Sequence, residues 1–523
     1  MKRPLRNSVG LLVALVIGAL GATLYDSYQQ RITKRQMLEV FTRALVQIER
    51  KYVTEKDPVK LIESGIQGMV QDLDPFSALL TPEESREWMV QTQGEFGGLG
   101  IQIGIRDGWL TIIAPIEGTP AYRAGLRAGD RIIKIEGKST RGIKLQKAVK
   151  LLRGRPGTQV TITIQRPGLE EPFDVTITRA IIEIHAVPFY TLLDHRIGYV
   201  RLTTFSEKAS REVRAALDSL LAQGAQRFVL DLRSNPGGLL REALRVSSLF
   251  LPKGSVVVST RGRIPEADTV LRAPFDPELP DSIPVVVLVN KGSASASEIV
   301  SGALQDWDRA LIVGDTTFGK GSVQRIYPLG YGYELKLTTA HYYTPSGRCI
   351  HRERKSLNDL DSLNADTTTT DTVPPPAYHT LRLKRVVYGG GGITPDRVVV
   401  PPQPPKLVVE AVSKGALFDF AVRYSQEHPE VQRDEDLILT TADLEALKQY
   451  LRNEKHLDFT DQEFEEAQED LRYWLSLEIA EKYWGIQGRY RFALKRDPVL
   501  ETAVQLLAQA NHTEDLFQEI QHR

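Results

Sequence analysis

The pattern of apolar and polar positions changes period several times along the chain. Val160-Thr-Ile-Thr-Ile164 and Phe173-Asp-Val-Thr-Ile177 alternate with period two, which predicts half-buried strands. Gly198-Tyr-Val-Arg-Leu202, Arg227-Phe-Val-Leu-Asp231, Val285-Val-Val-Leu-Val289 and Ala310-Leu-Ile-Val313 are more continuously apolar and predict buried strands. Helical spacing separates them at Ser210 to Leu221, Leu239 to Phe250 and Glu298 to Gln305. Buried strands alternating with helices predict a largely parallel sheet. Earlier in the chain, Gln36 to Glu49, Asp57 to Gln71 and Lys144 to Leu152 also carry helical spacing. Asp57-Pro58 has the form of an N-cap with a first-turn proline, and Thr81-Pro-Glu-Glu84 that of a capping box. Leu73-Asp-Pro75 interrupts between them. Past Pro401-Pro-Gln-Pro-Pro405, a stiff linker, the chain is helical. There Thr460-Asp-Gln-Glu463 caps a helix whose apolar face runs from Phe464 to Ile479, with Gly485 as the expected stop.

These patterns divide 523 residues into an N-terminal segment (1–29), a helical segment (30–92), a short-strand module (93–180), an α/β core (181–400) and a helical extension (401–523). Residues 353–388, with Thr367 to Thr370 and Pro374 to Pro376, are expected to form a mobile insertion in the core. Lys plus Arg and Asp plus Glu are both 66, so there is no basic excess and no expectation of nucleic acid as a partner. The single cysteine, Cys349, excludes an intrachain disulfide and a Cys-rich metal site. Lys2, Arg3 and Arg6 precede an uncharged run over residues 7–25. A positive flank before such a run directs export, and the cleavage site at Ala19-Leu20-Gly21 is weak. Residues 7–25 are therefore expected to anchor the chain in the cytoplasmic membrane, with the remainder outside the cytoplasm, or exported if the segment is cleaved.

Three motifs carry chemistry. Val289-Asn-Lys-Gly-Ser-Ala-Ser-Ala-Ser-Glu-Ile299 places a turn of small residues between a buried strand and a helix. Ser295 stands at that junction, where N–H groups and the positive helix end can stabilise an oxyanion. Taken alone, alternating serines at a helix start also read as N-caps. Thr317-Phe-Gly-Lys-Gly-Ser-Val-Gln324 sets Lys320 between two glycines after another apolar strand. A lysine becomes a general base when desolvation lowers its pKa from ~10.4 toward neutrality, and a tight turn beneath a sheet supplies burial. The third motif is paired: Phe96-Gly-Gly-Leu-Gly-Ile101, then Ala124-Gly-Leu-Arg-Ala-Gly-Asp-Arg-Ile-Ile-Lys-Ile-Glu-Gly137.

The paired glycine motif resembles a PDZ domain, in which Leu99, Gly100 and Ile101 would present N–H groups to a peptide's terminal carboxylate. The other two, with Leu73-Asp-Pro75, Tyr343-Thr-Pro-Ser-Gly-Arg348 and Gly392-Ile-Thr-Pro-Asp396, closely resemble the C-terminal processing (tail-specific) proteases. Lys320 follows Ser295 by 25 positions, the interval usual in that family. The resemblance implies an α/β multidomain fold, with a β-rich PDZ module before a crotonase/ClpP-like core and helical segments at both ends. It implies Ser295 as nucleophile, Lys320 as general base and Gln324 as the residue that orients the lysine. Asn235-Pro-Gly-Gly238 matches the oxyanion segment, so Gly237 or Gly238 would donate with Ala296, and the sequence leaves the two glycines open. No metal or cofactor is implied; the expected partners are protein substrates with free C-terminal tails.

The chain departs from the pattern at His341, in the Thr-rich insertion and in the tail after Pro405. That tail is open to dimerisation, an adaptor or a bracing role. None of the core histidines His185, His195 and His341 sits in a triad-like motif. Two rival functions are a silent PDZ adaptor, against which the intact Ser295, Lys320 and Gln324 weigh, and a crotonase-like acyl-CoA enzyme, for which no nucleotide site is evident.

Overall fold

The computed structural model describes residues 33–353 and 376–521. The expected anchor at 7–25 and residues 354–375 of the expected insertion lie outside the described residues. The chain separates into two units, one ending at Thr81 and including Ile326–Leu337, the other made of Pro82–Arg325 and the chain from Thr338 onward.

In the first unit, helices span 33–51 and Pro58–Gln71. Asp57 accepts the Val59 N–H at 2.9 Å, so the proline-led start forms as its sequence implies. The Leu73-Asp-Pro75 break becomes a turn because Asp74 accepts the N–H groups of Phe76 and Ser77 at 2.7 and 2.8 Å. Strand Ala78–Leu80 then pairs antiparallel with residues 334–336.

The second unit contains a small β domain, an α/β layer and the helical extension. The β domain is a sheet whose edge strand is Ile101–Arg106, followed in order by Trp109–Pro115, Arg131–Ile135, Gln159–Gln165 and Phe173–Thr178. Ile162, Ile164 and Ile132 are fully buried together with Ala148 and Leu152 of helix Leu145–Leu152. Glu95–Gly98 and Ala180–Glu183 pair as a two-stranded stem where the domain enters and leaves the chain.

The α/β layer is built on strands Phe189–Leu193, Ile197–Arg201, Arg227–Asp231, Val285–Val289, Leu311–Gly314 and Arg397–Val398, in that spatial order. The first pair is antiparallel and the rest are parallel. Both sheet faces are buried, which explains the absence of alternation in these strands. Val285, Val287 and Val289 face helices Ala209–Ala222, Leu240–Ser248 and Ala296–Asp306. Val286 and Leu288 face the other way, onto Leu500, Ala503, Leu507 and Phe517 of the extension. The extension also has its own core, with Leu444, Leu447, Phe464, Leu471 and Leu475.

The helix that starts at Asp461 breaks at Trp484 and Gly485 (φ 61°, ψ −159°), where the stop is expected, and a second helix follows to Leu494. Residues of that second helix find aromatic partners: Phe492 stacks on Trp484, and Tyr490 stacks on Phe189. One expectation is corrected. The end of the expected insertion is ordered structure, since Ala377–His379 and Val386–Tyr388 pair antiparallel. Burial of Thr380 and Val387, and ion pairs from Arg385 to Asp308 and Asp396, hold that hairpin.

Candidate active site

Three loops leave the carboxyl ends of three adjacent parallel strands, Arg227–Asp231, Val285–Val289 and Leu311–Gly314. Open α/β sheets collect their chemistry at this edge. The loops carry the Asn235-Pro-Gly-Gly238 segment, the serine-rich turn and the Gly-Lys-Gly turn.

Ser295 has φ 54° and ψ −111°, a left-handed and strained backbone for a residue with a side chain. It turns the chain sharply from strand to helix, so the half-buried Ser295 stands beside the N-terminus of helix Ala296–Asp306. The Ala296 N–H, first of the helix, has no hydrogen-bond partner among the described residues.

Glu298, one turn into the helix, ties the serine turn to the lysine turn. Its fully buried carboxylate accepts the Ser295 N–H at 2.8 Å and the Lys320 N–H at 2.9 Å on one oxygen. The other oxygen accepts the Gly319 N–H at 2.7 Å and the Thr317 hydroxyl at 2.6 Å. Burial pushes this carboxyl above the ordinary glutamate range, and the four donors pull against it. In the sequence Glu298 is only the far half of a capping box; nothing local announces that it also accepts bonds from residues 317–320. Lys320 itself is half-buried in its turn.

Asn235 fixes the third loop. It is fully buried, donates to the Leu202 carbonyl at 2.9 Å and accepts the Gly237 N–H at 2.9 Å through its side chain. Its backbone carbonyl accepts the Ala294 N–H at 3.0 Å and the Ser297 hydroxyl at 2.9 Å. Gly237 (φ +100°) has no room for a side chain, since a Cβ there would lie 2.9 Å from both the Ser295 Cβ and the Ala296 nitrogen. The Gly238 N–H, unlike that of Gly237, has no partner among the described residues, and Gly238 is exposed.

Gln324, on strand Ser322–Gly330, donates to the Ser322 hydroxyl at 2.8 Å and the Thr338 hydroxyl at 3.2 Å. His341 lies opposite Arg261 in a neighbouring strand pair, its ring 4.6 Å from that of His351. His185 is exposed beside Glu212, and His195 occupies a turn before strand Ile197–Arg201. Two motifs without chemistry of their own position the loops. Fully buried Arg348 pairs with Asp306 at 2.7 Å and donates to Gln305 at 2.6 Å, gripping the end of the serine helix. The Ile393 N–H donates to the Thr317 hydroxyl at 2.6 Å, so Gly392-Ile-Thr-Pro-Asp396 backs the lysine turn.

Residues 196–357 match the model of Peptidase family S41, and residues 111–166 match that of the PDZ domain. The chain is 44% identical over 349 residues to the carboxy-terminal-processing protease of Bartonella bacilliformis, covering 65% of this chain and 78% of that one. It is 36% identical over 361 residues to the carboxy-terminal processing protease CtpA of Bacillus subtilis, covering 68% and 76%. The chain belongs to the carboxy-terminal-processing proteases of peptidase family S41. Among solved structures, the photosystem II D1 C-terminal processing protease is 27% identical with a TM-score of 0.36, over 70% of this chain and 93% of that one.

This serine protease therefore carries its PDZ domain on the stem of Glu95–Gly98 and Ala180–Glu183. In the PDZ loop, Leu99 and Gly100 are buried, and their N–H groups have no partner among the described residues. Gly100 (φ +81°) is packed so closely on Thr119 that a Cβ would lie 2.2 Å from the Thr119 Cβ. Ile101 begins the strand at the sheet edge, where one side of the backbone ladder is unoccupied by protein strands.

Proposed function

We propose that this protease recognises the free C-terminal tail of a protein substrate through its PDZ domain and cleaves by a Ser295–Lys320 dyad. The observation that carries the dyad is the Glu298 carboxylate, which holds the backbones of nucleophile and base through one oxygen. As the Ser295 Oγ–carbonyl bond forms, the hydroxyl proton passes to the Lys320 amine. The developing oxyanion is met by the N–H groups of Ala296 and Gly238, both of which lack another partner among the described residues; the Gly237 N–H is committed to Asn235. Collapse breaks the peptide C–N bond, Lys320 returns its proton to the departing amine, and water then hydrolyses the acyl-enzyme with the same lysine as base. Gln324 belongs to the site as an orienting residue.

Tail recognition is supported by the edge of strand Ile101–Arg106 and by the N–H groups of Leu99 and Gly100, which are open among the described residues. A tail added to that edge ends with its carboxylate in the loop. The test is acyl-enzyme formation with an active-site-directed serine reagent and a tailed peptide. Ser295→Ala should abolish both labelling and hydrolysis. Lys320→Arg should be equally inactive, because guanidinium stays protonated. A wild-type rate in Lys320→Arg, with loss in His341→Ala, would transfer the base to the histidine.

We further place the enzyme outside the cytoplasm, anchored through residues 7–25, on the charge and apolar pattern of that segment. Cell fractionation should find it with membranes and open to protease added from outside. A soluble protein with a mature N-terminus near Ala22 would show cleavage instead.

A further inference from the structure

Among the contacts between the helical extension and the α/β layer, one ion pair bears directly on the loop that carries Asn235. Asp497 caps helix Pro498–Gln509, accepting the Val499 and Leu500 N–H groups at 3.1 Å. The same carboxylate receives both guanidinium arms of Arg233, at 2.9 and 2.6 Å. Arg233 lies two residues past the end of strand Arg227–Asp231 and also holds Asp231 through three contacts of 2.6–3.1 Å. Asp231 is fully buried and takes a further ion pair from Arg201 at 2.7 Å and the Tyr199 hydroxyl at 2.7 Å. Arg201 closes the circuit by donating to the Arg233 carbonyl at 2.7 Å. The next residue, Ser234, is left-handed (φ 55°), and after it come Asn235 and the two glycines.

From this geometry we propose that Asp497 is a positioning residue of the protease, and that docking of the extension sets the oxyanion segment. The inference rests on Gly238 and Ala296 being the oxyanion donors. Arg233 has two acceptors on opposite sides, one in the catalytic layer and one in the extension. Bidentate pairing to each fixes the plane of the guanidinium, and with it the direction in which the chain leaves the strand. Without Asp497, Arg233 keeps Asp231 but loses the partner that stops it rotating about that pair. The chain immediately downstream is left-handed at Ser234, so a small rotation at Arg233 is passed to the position of the Gly238 N–H. Catalysis is sensitive to such shifts, because donors must lie where the oxyanion forms. Burial opposes ionisation of Asp231, but Arg233 and Arg201 hold it far below the ordinary carboxylate range.

The test uses the full chain and three variants: Asp497→Asn, Asp497→Glu and Leu507→Ala. Leu507 is a fully buried residue of the same helix with no part in the ion pair, so it reports on loosened packing alone. Each variant is measured for kcat and KM on a tailed peptide, for the labelling rate of Ser295 by a small serine reagent, and for Tm. Labelling is normalised to the fraction of sites that finally react, which removes unfolded protein from the rate. Asp497→Asn should lower kcat and the labelling rate about 10- to 100-fold, with KM within about twofold of wild type. Asp497→Glu should recover most of the loss. Leu507→Ala should lower Tm at least as much while leaving the normalised labelling rate near wild type. The proposal is overturned if Asp497→Asn labels at the wild-type rate, or if Leu507→Ala slows labelling equally. Hydrolysis surviving in Ser295→Ala would instead bring down the site assignment on which it rests.

Discussion

Glu298 serves at once as a helix cap and as the clasp between two catalytic turns. Glutamine keeps one carbonyl oxygen but replaces the other acceptor by a donor, leaving two of the four N–H and O–H donors unmatched. Glu298→Gln should therefore lower kcat about 100-fold, with the peptide's KM little changed, because it disturbs the backbones of Ser295 and Lys320 and leaves the PDZ loop untouched. The pH response separates this residue from a simple packing site. Its folded pKa is raised by burial, so its contribution to stability is present below the ordinary glutamate value and is lost as pH rises through the raised one. Gln has no such loss. The Tm deficit of Glu298→Gln relative to wild type should shrink as pH rises through that window, and a deficit independent of pH would show that the carboxyl does not titrate there. Gly237 shows the same economy: its sequence neighbours resemble an oxyanion segment, yet its own N–H is bound by Asn235 and its lack of a side chain leaves room for Ser295.

Among the elements, the strands and helices that carry apolar periods were legible, and so were the turns between them that consist of glycine and small residues. Val285 to Val289 could be read as buried on both faces, because neither face alternates with polar residues. What covers the second face could not be read: Leu500 and Phe517 lie on amphipathic helices that look like any others. Gly485 ends its helix as a left-handed glycine does, but the second helix that follows it to Leu494 carries no sequence signal that separates it from the first. Arg385 illustrates the limit inside a low-complexity neighbourhood, where its pairs with Asp308 and Asp396 order a hairpin beside a stretch of threonines. The PDZ edge strand, by contrast, has a direct functional consequence. A terminal carboxylate gains charge-assisted bonds worth about 1.5–3 kcal/mol each, so amidating a peptide's C-terminus should raise KM at least about tenfold. Equal KM values for free and amidated peptides would remove carboxylate recognition from this loop.

For the molecule as a whole, the catalytic layer is sandwiched. Helix Ala296–Asp306 and its neighbours cover one face of the sheet, and the extension covers the other. The proposed site draws on segments between Ser234 and Gln324, while its frame draws on Arg348, Asp396 and Asp497. The proposed chemistry rests on local motifs, because a nucleophile, a base and oxyanion glycines need fixed residue types. The frame does not, because an arginine-carboxylate pair can be made from any distance along the chain. Arg233 and Asp497 are 264 positions apart. Closing a loop of that length carries an entropy cost that local contacts do not. A chain threaded outward N-terminus first would present its serine, its lysine and its oxyanion loop well before Asp497 arrives. If the extension sets the oxyanion loop, a nascent molecule is a poor protease while its own extension is still unfolded and cleavable. The order of synthesis then acts as a safeguard, with activity switched on by completion of the fold.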